Sequence, residues 1–115
     1  MSSKVSFEGI GEMVATFYAE DGVMAGQVVK ISDDSTVSAC ADGDRFCGVA
    51  VNVKDGCAGV QVKGFAKVSC ADSTVTVGYV TLAADGNGGV KKVTSGGDEY
   101  LVVADDGAGS ITIAL

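Results

Sequence analysis

Val60-Gln61-Val62-Lys63-Gly64-Phe65-Ala66-Lys67-Val68-Ser69-Cys70 decides the fold class of this chain. On both sides of Gly64, apolar and polar side chains alternate with period two. A half-buried strand reads this way, because successive side chains point to opposite faces of a sheet. Ile111-Thr112-Ile113-Ala114-Leu115 repeats the pattern at the end of the sequence.

Turn signals lie between the alternating stretches: Asp33-Asp34, Asp42-Gly43, Asp55-Gly56, Asp85-Gly86-Asn87-Gly88-Gly89, Gly96-Gly97 and Asp106-Gly107. Asp and Asn side chains nucleate tight turns and Gly supplies positive φ. Strands are expected at Gln27–Ser32, Thr36–Ala41, Phe46–Val53, Gly59–Lys63, Phe65–Cys70, Tyr79–Ala83, Val90–Val93, Tyr100–Ala104 and Ser110–Leu115. Glu12–Glu20 is ambiguous: Met13 and Phe17 stand four apart as on a helix, yet Met13, Ala15 and Phe17 also alternate. Thr16, Phe17 and Tyr18 favour a strand. Short strands at a spacing of roughly 8–12 residues predict an all-β domain, a small barrel or sandwich of antiparallel strands.

The organisation that follows is an N-terminal arm over residues 1–11, expected to be flexible, and a single β domain over 12–115. A weak internal repeat runs through the domain. Gly26-Gln27-Val28-Val29-Lys30-Ile31 is echoed by Gly78-Tyr79-Val80-Thr81-Leu82-Ala83, and Val37 and Phe46 follow the first Gly much as Val90 and Tyr100 follow the second. Two pseudo-symmetric halves of one body are the implied arrangement.

Composition narrows the function classes. A hydrophobic content of 47% excludes a disordered chain. The apolar runs fall far short of the ~20 residues that a membrane helix needs. No apolar stretch near Met1 suits a secretory signal, so a cytosolic origin is expected. Fifteen acidic against eight basic residues give a net charge of −7, which repels phosphate and argues against nucleic acid as a partner.

Candidate chemistry is sparse. The chain has no His, the commonest general base, and no Trp or Pro. Cys40, Cys47, Cys57 and Cys70 lack the close pairs of a structural zinc site and are expected to be reduced thiols acting as small hydrophobes. The acidic turns offer oxygen ligands for calcium, but Asp85-Gly86-Asn87-Gly88-Gly89 lacks the Glu that closes an EF-hand loop. The glycines there match neither a phosphate loop nor a dinucleotide fingerprint. Lys67 and Ser69, two apart on one strand face, are a coincidence common in β proteins rather than a nucleophile and base. Lys54, at a hairpin tip, is similar in place to the modified lysine of lipoyl and biotinyl carrier domains, without their local motif. No catalytic, cofactor or metal residue is assigned, and the chain is read as a non-enzyme.

Taken in order, several elements resemble the small capsid cement, or head-decoration, proteins of tailed bacteriophages. They are Val23-Met24-Ala25-Gly26-Gln27-Val28-Val29, Phe46-Cys47-Gly48-Val49-Ala50-Val51, Val60-Gln61-Val62-Lys63-Gly64-Phe65, Gly78-Tyr79-Val80, Val90–Val93 and the terminal Ile111–Leu115. The resemblance spans about residues 12–115. It implies a structural protein on the virion, made in the host bacterial cytoplasm, that binds the outside of the assembled shell as a trimer. Its implied partner is the major capsid protein, and it would need no cofactor. Phe7, Ile10, Met13, Phe17 and Tyr18 are the interface residues that this resemblance nominates. A phage tail or baseplate β module is the alternative, as is a small carbohydrate-binding β domain, although the latter usually stacks sugars on exposed aromatics.

Overall fold

The computed structural model describes residues 6, 7 and 9–115 of the chain, and every regular element in them is a strand. Ten follow in order: β1 (Met13–Ala19), β2 (Val28–Asp33), β3 (Thr36–Ala39), β4 (Gly48–Lys54), β5 (Cys57–Lys63), β6 (Phe65–Ser69), β7 (Gly78–Ala84), β8 (Val90–Lys92), β9 (Asp98–Asp105) and β10 (Ser110–Ala114). Each expected strand is present, with ends shifted by a residue or two.

The ambiguous stretch is β1. Ala15, Phe17 and Ala19 are its more buried positions, and Phe17 and Ala19 pack on a core beneath the strand. The i, i+4 spacing of Met13 with Phe17 and Val14 with Tyr18 is incidental to that alternation.

The first five strands close into a barrel with neighbour order β1-β3-β2-β4-β5. The last five form a sheet with order β6-β10-β9-β7-β8. The second order becomes the first when β6 to β10 stand in for β1 to β5 in turn. The four ladders common to both halves are antiparallel in each. The sequence echo between Gly26 and Gly78 is therefore matched by a repeat of topology.

The halves differ in closure. In the barrel, β1 and β3 join through a short parallel ladder, Tyr18 beside Thr36 and Ala19 beside Val37. Among the described residues this is the one departure from antiparallel pairing. In the second sheet the corresponding edges, β6 and β8, form no ladder. Asp72, just beyond β6, accepts a hydrogen bond from the Lys92 backbone N–H (3.1 Å). Gly89, just before β8, lies so close to Ser69 that a Cβ would sit 2.4 Å from its carbonyl oxygen.

The two cores follow from this plan. Val23, Val29, Val37, Ala50, Ala58 and Val60 fill the barrel. Ala66, Val68, Leu82, Val90, Val102, Ile111 and Ile113 line the inner face of the second sheet, and Val28, Phe46 and Val49 from the first half complete that cluster. Burying the first half's outer wall in the second half's core makes the two one body, since each buried Val or Phe contributes roughly 1.5–3 kcal/mol.

Backbone bonds stitch the seam. The Gly43 N–H donates to the Ala84 carbonyl (2.8 Å), and the Ala84 N–H donates to that of Asp44 (2.9 Å). The only buried polar side chain among the described residues is Gln61, and its amide donates to the Lys63 and Phe65 carbonyls on either side of Gly64. That glycine, at φ +94°, turns β5 into β6. In the β4–β5 hairpin, Asp55 (φ 53°) and Gly56 (φ 76°) have the paired positive φ values of a tight turn that suits the strand twist.

Candidate interaction surface

Strand parity sorts the five nominated residues. On β1 the even positions Val14, Thr16 and Tyr18 face out, and Tyr18 is 65% exposed. Phe17 faces the barrel and is half-buried against its core. Met13 and Ile10 are 58% and 56% exposed. Phe7 is half-buried, its ring centroid 4.9 Å from that of Phe65 at a tilt of 49°. Phe7, Ile10 and Met13 thus lie near the start of β1 and the Gly64 turn, whereas Tyr18 lies at the other end of the strand, beside Cys57 and Thr36. Residues 1–5 and 8 of the proposed arm lie outside the described residues.

A second apolar surface has no counterpart among the sequence expectations. Register places Tyr79 beside Leu101, Leu101 beside Ala114, and Ala114 beside Phe65. Cross-strand partners share a face, so these four form a row across β7, β9, β10 and β6. Phe7 extends it beyond Phe65. Tyr79 is 72% exposed, and Val77, two residues earlier, is 61% exposed. The signal was in the sequence: Val77 and Tyr79 share the parity opposite to buried Leu82.

Four ion pairs join charged residues among the described ones. Arg45 holds Asp98 through two bonds of 2.8 and 2.9 Å across the seam. Lys30 pairs with Asp44 and Lys91 with Asp42, each at 2.6 Å, while Lys67 lies 3.7 Å from Asp106. A cleft of about 680 Å³ between the halves is lined by Lys30, Asp44, Arg45, Phe46 and Asp98 among others, so its charges are neutralised in pairs. The hydrogen bond from Lys30 holds the Asp44 carboxyl below the usual carboxylate range, and that from Arg45 does the same for Asp98.

The acidic turns are self-contained. The Asp85 carboxylate accepts from the Asn87 and Gly89 N–H groups, and Asp106 accepts from those of Ala108 and Ser110. Among the described residues, no group of three or more Cys, Asp or Glu is placed to hold a metal ion.

All four cysteines are unbonded. Burial pushes the Cys40 thiol up to about 11 and raises those of Cys47 and Cys70. An activated nucleophile requires the opposite shift.

No protein-family profile matches the chain, and no curated protein matches it in sequence. Among solved structures, the fold is similar to the head fiber gp8.5 N base of bacteriophage phi29, with a TM-score of 0.65 over 90% of this chain and 93% of that one. The two sequences are 20% identical. The likeness establishes a shared β architecture along almost the whole length of both.

Proposed function

We propose that this chain is a non-enzymatic structural protein of a bacteriophage head, which binds the outside of the assembled shell and stabilises it. The observation that carries the reading is the near full-length likeness in fold to a head fiber base. The order of sequence elements resembling head-decoration proteins points the same way.

The physics of the body suits the task. A double β core gives a rigid plug, and exposed apolar residues at Ile10, Met13, Tyr18, Val77 and Tyr79 supply contact area on a surface otherwise dominated by acid. Many copies on one shell make individually weak contacts collectively strong. In this reading the partner is the major capsid protein, the chain acts as a trimer, and it resides on the capsid surface after synthesis in the host cytoplasm. Burial raises the thiols of Cys40, Cys47 and Cys70, the opposite of what an activated nucleophile requires, which supports the non-enzymatic reading.

The likeness to a fiber base supports a second reading, in which the domain is the foot of a longer appendage rather than a cap. Electron microscopy of decorated shells separates them: low knobs favour a cap, protruding fibres a foot.

Co-sedimentation with shells assembled from the major capsid protein encoded beside its gene tests the proposal. Saturable binding at a fixed ratio per capsid subunit, with greater resistance of the shells to heat, is the expected result. Absence of binding at high micromolar concentration overturns it. Light scattering in solution tests the trimer, expected at three times the 11.4 kDa chain mass.

A further inference from the structure

The edges of the two halves are guarded unequally. Unpaired strand edges invite pairing with other chains, and natural sheets blunt them with lysines or very short strands. In the second sheet, edge strand β6 carries Lys67, and β8 is three residues long with Lys91 and Lys92. Strand β1 has neither protection. It ladders with β5 along its length, but β3 reaches only Tyr18 and Ala19. Met13–Phe17 therefore has an open side, and Met13-Val14-Ala15-Thr16-Phe17 contains no charge.

Backbone direction is fixed by bonds farther along. The Tyr18 and Glu20 N–H groups donate toward β3, to the Ser35 and Val37 carbonyls (2.8 and 2.9 Å). Backbone groups alternate sides along a strand, so those of Val14 and Thr16 point to the same side, where β3 has not yet begun. No partner for them on that side is found among the described residues. The adjoining side chains of Met13, Val14 and Tyr18 are 58%, 44% and 65% exposed.

We infer that the outer edge of β1 over Met13–Phe17 receives a β-strand from a partner protein, a strand apolar in its middle and carrying Lys or Arg at both ends. Charge selects this occupant over a second copy of the chain. Glu12 precedes β1, and Glu20 and Asp21 follow it. Antiparallel self-pairing centred on Thr16 would set Glu12 of each copy against Glu20 of the other, and opposed like charges are destabilising. A basic-ended strand instead meets acid at both ends while its backbone satisfies Val14 and Thr16. Only the identity of the partner as a capsid protein rests on the proposed head role.

The test titrates the isotope-labelled protein with the blocked peptide Lys-Thr-Val-Thr-Val-Thr-Lys and with its Glu-ended twin, following backbone amide shifts. Shifts centred on Met13–Phe17 are expected, with the Lys-ended peptide about tenfold tighter, as two exposed ion pairs supply. Thr16→Pro and Thr16→Lys should each abolish the shifts. Among the described residues the Thr16 N–H has no partner, so proline is expected to be tolerated there, and the lysine variant covers the case in which the proline variant misfolds. Absence of binding, or binding unchanged in the folded variants, overturns the edge. Equal affinity for both peptides overturns the basic-ended partner, and a dimer abolished by Thr16→Lys reassigns the edge to a second copy.

Shells separate this inference from the head role. Binding by the wild type but not by Thr16→Lys supports both. Equal binding overturns the edge and keeps the head role. Peptide shifts without shell binding do the reverse.

Discussion

Phe46 lies flat on Tyr100, their ring centroids 4.9 Å apart and their planes within 9° of parallel, although one ring precedes β4 in the first half and the other sits in β9 of the second. The Tyr100 hydroxyl, 3.4 Å from the Phe46 carbonyl oxygen, donates weakly to the same residue that its ring covers. Phe46 is 5% exposed within the second core. The stack joins the halves through side chains where the seam joins them through backbone.

Phe46→Ala should therefore lower the free energy of unfolding by about 3 kcal/mol, within the range for buried aromatics, while Tyr100→Phe should cost less than about 1 kcal/mol. Denaturant unfolding measures both. Burial pushes the Tyr100 hydroxyl up to about 12, above the value of about 10 for a free tyrosine. The fold favours its neutral form, so this contribution is complete below pH 10 and lost as pH rises from 10 to 12. Tyr100→Phe should remove that part of the alkaline loss of stability.

Gly48 is required by space rather than by φ. A Cβ there would stand 2.3 Å from the Gln61 carbonyl oxygen and 2.8 Å from a methyl of Val60. Because the first is backbone in the central β4–β5 ladder, relief requires the strands to part. Gly48→Ala should cost about 3 kcal/mol, the upper part of the range for overpacking. Gly22→Ala, whose Cβ would meet nothing, is the control for crowding, carrying only the strain of its φ of +96°. A comparable melting temperature in the two variants would refute the crowding argument.

Acid should open the second half's side-chain closure. The Asp72 carboxyl is held below the usual carboxylate range, first by the hydrogen bond from the Thr74 hydroxyl and then by the Thr74 and Lys92 N–H groups. Asp44, Asp98 and Asp106 are lowered too, by Lys30, by Arg45 and by the backbone at Ala108. A depressed folded value stabilises the fold above the unfolded value of about 3.9 and is lost as pH falls through the folded one. With no His to titrate, the melting temperature should stay level from about pH 7 to 5 and fall below about pH 4. Asp72→Ala should cost about 1–2 kcal/mol at neutral pH from its lost hydrogen bonds, with faster amide exchange at Lys92.

Cys40 should resist alkylation. Its thiol, pushed up to about 11 by burial first and by Asp44 second, stays protonated at pH 8. Iodoacetamide labelling followed by mass spectrometry should find Cys40 unmodified in the folded protein and fully modified in denaturant. Rapid labelling of the native chain would show that the site opens locally.

Much of this architecture was legible from local chemistry. Period-two alternation marked β5, β6 and β10 because half-buried sheets impose it, and Asp-Gly pairs marked the hairpins because only certain residues tolerate their φ values. The Gly26 and Gly78 echo was legible as well. The parallel contact between β1 and β3 was not, since two residue pairs leave no periodic trace in sequence. Nor was Phe46, which lies outside its strand and owes its burial to a half encoded some fifty residues away by the chain numbering. Among the nominated interface residues, Phe17 and Tyr18 are adjacent, so strand parity alone sends one inward and one outward. The Tyr79 row has no local signature because it is assembled from four strands, each contributing one side chain.

Three distant points of the chain meet at one corner. The Leu115 N–H donates to the Gly64 carbonyl (2.9 Å), and a Cβ on Gly64 would lie 2.9 Å from the Glu12 Cα. The start of the first half, the joint between halves and the end of the second are therefore neighbours in space. A circularly permuted gene, cut at Gly64 and joined from Leu115 to Glu12 by a short linker, would run the halves in reverse order and preserve every strand pair. Proximity of these points makes the covalent order of the two halves a matter of one short connection, while their relative placement is held by the seam to which Phe46 and Tyr100 contribute.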